Sequence, residues 1–341
     1  MIKIIFSLFL STLLLSGCTS SPKKGGAMQI APSLHTMSKG DFLNSSKPIE
    51  LPQNYSTKNY KRLVVSAYFF PQKGKGDSNL PIGNLSTRLE TQLSKLKRFT
   101  IVSRHLGQKG IMAEKSFQDM GTTNRKGKLR MGKQLNADYS LSGSITATKE
   151  EYDRVDHNEA LFIVRIDYQL VDNETGEIIE ADTAEGRDKR KLIRLPSGKF
   201  IGGFNPSDSK QLKDAIDNAG LNALKVVGNK IGNKLPVGGR ISGFKGQRFA
   251  MESGHEDGFM GDQIVILYGS DMGIDMPFAV GEVHPGKYKT SGKIIRWSND
   301  PDVQDIISGI KSDKFYFNKN ELYAVSNGMP LPPAWDKNYR D

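Results

Sequence analysis

The clearest periodicity in the chain lies at residues 161–172. Phe162, Val164, Ile166, Tyr168 and Leu170 alternate with Arg165, Asp167 and Gln169, the two-residue period of a half-buried strand. Asn173-Glu174-Thr175-Gly176 is a turn signal, and residues 177–184 return as the second arm of a hairpin. Upstream, the apolar run 61–69 predicts a buried strand. Leu85, Leu89, Leu93 and Leu96 recur at helical spacing, with Arg88, Glu90 and Lys95 off that stripe, so a helix with a core-facing side follows. Residues 99–104 predict the next strand, 105–119 a second helix, 129–137 a short third helix and 139–145 an alternating strand. Ser207 or Asp208 can cap a long helix over about 210–234. Its inner face carries Leu212, Ile216, Ala219, Ala223, Val227 and Ile231, while Gly220, Gly228 and Gly232 weaken it or permit close packing.

After residues 235–239 the pattern changes to short strands between glycine turns. Strands are expected at 248–252, 263–268, 279–283 and 291–297, with a turn at 258–262; such a series predicts a small barrel or sandwich. The expected architecture is therefore an α/β (α+β) sandwich over 61–235, followed by a small all-β barrel-like domain over 236–341 whose Pro-rich end is tail.

The N-terminus follows a different logic. Lys3 precedes an apolar stretch of about a dozen residues, Ile4–Leu15, short of the roughly 20 that a membrane-spanning helix needs. Leu15-Ser16-Gly17-Cys18 then places small residues before a cysteine, as in the lipobox of bacterial lipoproteins. Residues 1–17 are read as a signal peptide and Cys18 as the lipidated residue. Thr19 and Ser20, with no aspartate after the cysteine, point to the outer membrane and its periplasmic face. Residues 18–60, rich in Ser, Pro, Lys, Asn and Gly, read as a flexible tether.

The formal charge of +11 calls for an anionic partner or marks a solvated basic surface. In an exported protein that partner is phospholipid, lipopolysaccharide phosphate or an acidic protein, not nucleic acid. Cys18 is the one cysteine, which rules out an intrachain disulfide and a Cys-based zinc site. The basic run Arg187-Asp188-Lys189-Arg190-Lys191, with Arg194 beyond it, reads either as a solvated loop or as a contact for anionic lipid or a partner.

Three strings carry a family resemblance. They are Phe99-Thr100-Ile101-Val102-Ser103-Arg104, the segment Leu135-Asn136-Ala137-Asp138 through Ile145, and Leu170-Val171-Asp172-Asn173-Glu174-Thr175-Gly176-Glu177-Ile178. In that order, behind a lipobox, they resemble the CsgG family of curli secretion lipoproteins. The resemblance implies a CsgG-like α/β domain and assembly with other envelope proteins, including a homo-oligomeric ring. The sequence departs from the channel-forming members. The segment 146–159 is too short and too charged for a membrane hairpin, the segment 184–208 has arms about half the needed length, and the loop 71–81 has no aromatic. A non-channel scaffold or assembly factor for an envelope machine is the leading expectation, and a ring channel for curli-like subunits the alternative. Gly258-Phe259-Met260-Gly261-Asp262 before an apolar strand resembles, more loosely, the C-terminal domain of flagellar H-ring protein T.

Enzyme signatures are missing. Residues 121–128 approach a phosphate-binding loop but have one residue too many between the glycines, and Leu129 stands where Ser or Thr would hold magnesium. His255-Glu256-Asp257, with His284, is the one metal-capable cluster, and it sits in a Gly-rich turn. The expectation is no catalytic residue, no metal and no cofactor.

Overall fold

The computed structural model of the chain describes residues 39–43, 47–55, 64–71, 85–102, 137–153, 157–194, 197, 200–203, 208–313 and 316–330. The signal peptide, Cys18, the 105–119 helix and all but the last residue of the 129–137 helix lie outside them.

The first layer is a six-stranded sheet in the order β2-β1-β3-β4-β5-β6. Its strands are β1 (Val64–Pro71), β2 (Thr100–Val102), β3 (Tyr139–Asp153), β4 (His157–Asp172), β5 (Ile178–Arg194) and β6 (Phe200–Gly203). β1 runs parallel to β2 and β3, and the remaining pairs are antiparallel. One face packs under two helices, α2 (Leu85–Lys95) and α3 (Ser209–Lys234); α1 is a single turn, Lys39–Leu43. The expected stripe Leu85, Leu89, Leu93 and Leu96 is buried against this face, with Ile216, Ala219, Ala223, Val227 and Ile231 beside it. Asp208 caps α3, its carboxylate accepting from the Lys210 and Gln211 amides. Arg88 of α2 holds Asp217 of α3 at 2.7 Å.

Two close approaches set the helix height. A Cβ on Gly186 of β5 would stand 2.1 Å from the Ala219 carbonyl oxygen and 2.2 Å from the Ala223 nitrogen. A Cβ on Gly220 would stand 2.5 Å from Leu85 Cδ2. Gly220 of α3 therefore serves contact.

The second layer is a closed barrel in the order β10-β11-β8-β7-β12-β9, as the glycine-punctuated pattern predicts. The strands are β7 (Gly238–Lys245), β8 (Arg248–Met251), β9 (Gln263–Asp271), β10 (Ile274–Pro285), β11 (Thr290–Trp297) and β12 (Leu322–Ser326), with α4 (Gln304–Ser312) and the short α5 (Tyr316–Lys319) before the last. Val265 and Leu267 of β9, Ala324 of β12, Phe249, Phe278 and Ile294 fill the interior.

The described residues are mostly β. A barrel-like second domain is present as expected, while a CsgG-like identity of the sheet-and-helix layer is not shown. Two boundaries also differ. Residues 146–153, read as part of a charged connection, continue β3, and the basic run 187–191 lies inside β5. On a sheet with one solvated face, charged residues at every second position are compatible with a strand.

The stretch read as tether is structured in part. Residues 47–55 lie as a strap on the outside of the barrel. Ile49 is buried there with Ile264, Ile266, Tyr268, Val280, Tyr323 and Val325, and Phe42, Leu51 and Tyr55 pack against the same cluster.

Candidate interaction surfaces

The antiparallel register places three rows side by side on the face of the sheet away from the helices. Thr146, Arg165 and Glu185 lie across from one another, as do Ser144, Asp167 and Thr183. With Ser140, Ser142 and Thr148 on β3, Gln169 on β4, and Arg187 and Lys189 on β5, they form a sheet surface that is polar except where the buried Leu161 and Ile163 of β4 share it. Bonds across and along the strands order it. Arg165 Nε donates to Glu185 Oε2 at 2.7 Å, Arg187 donates to Glu185 Oε1, and Thr183 Oγ1 donates to Asp167 Oδ1 at 2.6 Å. Partial burial works against ionisation of Glu185, but the bonds from Arg165 and Arg187 outweigh it and hold the carboxyl below its ordinary range. Such a surface offers a partner fixed donors and acceptors, which give orientation and specificity more than raw affinity.

The basic run is divided by this strand. Arg187, Lys189 and Lys191 fall on the open face, while Arg190 falls on the helix side, where it holds Asp188 at 2.7 Å. Lys189 reaches the buried Glu159 at 2.8 Å. Lys191 is exposed. Arg194 ends β5, and its side chain lies outside the described residues. The run is thus not one basic patch, and Arg187, Lys189 and Arg190 already hold carboxylates. Leu15, Ser16, Gly17 and Cys18 lie outside the described residues.

The turn cluster also disperses. His255 Nδ1 lies 2.8 Å from the Phe259 carbonyl oxygen, Asp257 accepts from the Gly254 amide, Glu256 meets Lys97 at 3.5 Å, and His284 pairs with Asp262 at 3.4 Å. Among the described residues no group of three or more His, Cys, Asp or Glu side chains is placed to hold a metal ion.

Between the layers lies a residue that the sequence reading passed over. Arg98 is fully buried, donating through Nε and Nη2 to the Leu235 carbonyl at 3.2 and 3.0 Å and through Nη2 to Ser326 Oγ at 2.9 Å. Ser326 Oγ also accepts the Val237 amide. The remaining guanidinium nitrogen, Nη1, has no partner among the described residues. Burial alone pulls the Arg98 pKa down to about 9, so the group is still cationic at neutral pH. It joins the end of α2 to the entry and last strand of the barrel.

The strap is fixed at both ends. Arg296 Nη2 donates to the Lys47 carbonyl at 3.1 Å, and Tyr55 donates to Asp275 Oδ2 at 2.8 Å. The Tyr55 ring meets Tyr268 edge-on at 5.6 Å. Burial, then the bond to Asp275 and its charge, raise the Tyr55 pKa to about 12. A raised folded-state value means stability present below the ordinary phenol range near 10 and lost as pH climbs through about 12. Amide exchange across 47–55 should therefore accelerate over this alkaline window, and a Tyr55→Phe chain should not show that step. Equal pH dependence in both chains would refute the assignment.

The comparisons with known proteins can be set against this geometry. Residues 73–185, about a third of the chain, match the family model described as Peptidoglycan-synthase activator LpoB. No curated protein matches the chain. Among solved structures it is similar to a protein described as a neuraminyllactose-binding hemagglutinin homolog from Helicobacter pylori, at 14% identity over 55% of this chain and 93% of that one, with a TM-score of 0.31. A minor lipoprotein from Acinetobacter baumannii shares 12% identity over 50% of this chain and 87% of that one, with a TM-score of 0.25. Scores this low carry no argument about function.

The CsgG resemblance is corrected by the family match: the stretch that carried it matches a different family. The looser flagellar likeness goes with it. The reason is visible in the turn. Asp172 Oδ1 accepts from the Glu174 and Thr175 amides, and Gly176 takes φ of 75°. The string Asp-Asn-Glu-Thr-Gly encodes a side-chain-braced hairpin that unrelated sheets can share. The channel alternative loses its basis too. Along the middle of β4 and β5 one face lies under α3 and the other carries Arg165, Asp167, Glu185 and Arg187, so neither is the apolar face a lipid-facing strand needs.

Proposed function

We propose that this chain is a non-enzymatic envelope lipoprotein, held by lipid on Cys18 at the periplasmic face of the outer membrane, that binds a peptidoglycan synthase and activates it. The observation that carries this reading is the match of residues 73–185 to the synthase-activator family. The matched stretch contains β3, β4 and the first half of β5, the strands that build the open polar face. Activation by contact requires a rigid, specific surface and no catalytic group. The Arg165–Glu185–Arg187 brace and the Thr183–Asp167 bond supply fixed polar groups there. No cofactor or metal enters this reading.

The test is reconstitution. The mature chain is added to a peptidoglycan synthase from the same organism, and polymerisation of lipid-linked precursor is followed. The expected result is a several-fold rise in rate that saturates with added chain. Arg165→Glu places a second carboxylate beside Glu185 and should weaken the half-saturating concentration at least tenfold, while the exposed site keeps the unfolding free energy within about 1 kcal/mol. A chain that neither binds the synthase nor changes its rate would end this reading.

A further inference from the structure

β9 has apolar side chains on both faces. Val265 and Leu267 point into the barrel core, whereas Ile264, Ile266 and Tyr268 point outward. β12 repeats the pattern, with Leu322 and Ala324 inward and Tyr323 and Val325 outward. An antiparallel barrel strand facing water on its outside alternates apolar and polar residues. These two strands do not, so their outer faces call for a cover, and the cover is the strap.

The strap fits that role as a ligand would. It forms no strand, and its hold on the barrel includes side-chain packing, the Tyr55–Asp275 bond and the Arg296 bond to the Lys47 carbonyl. Ile49 is buried, Leu51 and Tyr55 are half-buried, and Glu50, Gln53 and Asn54 face solvent. Pro48 and Pro52 restrict the backbone and the residues before them toward extended conformations, which lowers the ordering cost of docking. The strap comes from the opposite end of the chain: Tyr55 and Asp275 are 220 residues apart. It leads into the sheet layer and not into the barrel, so every contact it makes could be made equally by the strap of another molecule.

We infer that the outer face of β9, β10 and β12 is a docking groove for an extended peptide, occupied here by residues 47–55 and open to the same segment of a second copy of this chain. Exchange keeps each contact unchanged: an Ile side chain in the cluster with Ile264, Ile266 and Val325, and a tyrosine hydroxyl on Asp275. It needs no new interface. Anchoring many copies to one membrane would raise their mutual concentration and favour the exchanged form.

The experiment uses the mature chain carrying Ile49→Asp and Tyr55→Ala, with circular dichroism confirming that the barrel is folded. The probe is the nonapeptide Lys-Pro-Ile-Glu-Leu-Pro-Gln-Asn-Tyr, which reproduces residues 47–55. The emptied groove is expected to bind it at least tenfold more tightly than the unsubstituted chain, whose own strap competes. A peptide bearing the same two substitutions should not bind. Native mass spectrometry of the unsubstituted chain at rising concentration should show a dimer that the double variant cannot form. Equal or absent peptide binding by the two proteins overturns the groove. Peptide binding without that dimer overturns exchange between copies. Should the double variant fail to fold, Tyr55→Ala alone, which removes only the half-buried end, is read by the same two measurements.

Discussion

Replacing Arg98 with alanine should lower the unfolding free energy by about 3 kcal/mol, while Arg98→Met should cost about 1 kcal/mol or less. The asymmetry follows from what the guanidinium does. It satisfies the Leu235 carbonyl twice and touches Ser326 Oγ, and it fills space that no water reaches. Alanine orphans the carbonyl and leaves a cavity at the seam between the layers, with both terms adding to the loss. Methionine orphans the same carbonyl but fills most of the volume. It also removes a cation that, among the described residues, has no carboxylate partner and one nitrogen without a hydrogen bond. Relief of that desolvation offsets part of the lost bonding. Urea unfolding of the three proteins measures the difference. Equal losses for the two variants would mean that the charge contributes more than the arrangement implies. Arg98 also ties sheet to barrel, so the alanine variant should broaden the transition or split it into two steps, as it does when cooperativity between layers is lost.

A similar loss is expected from Gly186→Ala, and a larger one from Gly186→Val. The clash here is with backbone: the added carbon would sit 2.1 Å from one peptide oxygen of α3 and 2.2 Å from a peptide nitrogen. A side chain could rotate away, but a helix must move as a body. Moving α3 off β5 disturbs the core that it shares with β4, including Phe162, Val164 and Ile166. Overpacking costs of about 1–3 kcal/mol arise where side chains can adjust, and this site should fall at or above the upper end. Gly220→Ala is the internal control. Its nearest neighbours are the terminal carbons of Leu85, which can shift, so its cost should be smaller despite a similarly short distance. Thermal unfolding of the two alanine variants decides the order, and a reversed order would show that α3 is more mobile than its packing suggests.

What was legible in the sequence depended on whether one residue pattern had one cause. β4 was readable because from Val164 to Leu170 its apolar residues lie under the helices and its polar residues face solvent, giving unmixed alternation there. α2 and α3 were readable for the same reason at helical period, and Asp208 was readable as a cap. β5 was read as ending ten residues early because Arg187, Lys189 and Arg190 look like loop charge. They are strand residues whose partners, Glu185, Glu159 and Asp188, lie beside them or across the sheet and cannot be paired from spacing alone. β7 is interrupted by Gly238, Gly239 and Gly243, which hide its alternation, and β12 is too short to stand out. Arg98 offers no local signal: it follows Lys97, which turns the chain at φ of 53° where a glycine would usually announce the helix end. The open polar face could be inferred in outline from Arg165, Asp167 and Gln169. Its bracing depends on register and could not.

The strap alters how far the protein can work from its anchor. With lipid on Cys18, a leash ending at β1 would let Val64 lie at most roughly 160 Å from the membrane-held residue, by the fully extended length of a chain. Docking of residues 47–55, with Lys39–Leu43 against β11, moves the first fixed point up to Lys39. The longest reach to the barrel then falls to roughly 75 Å. Docking of α1 and the strap on the barrel's flank thereby sets the upper limit on that reach, and release of both would more than double it.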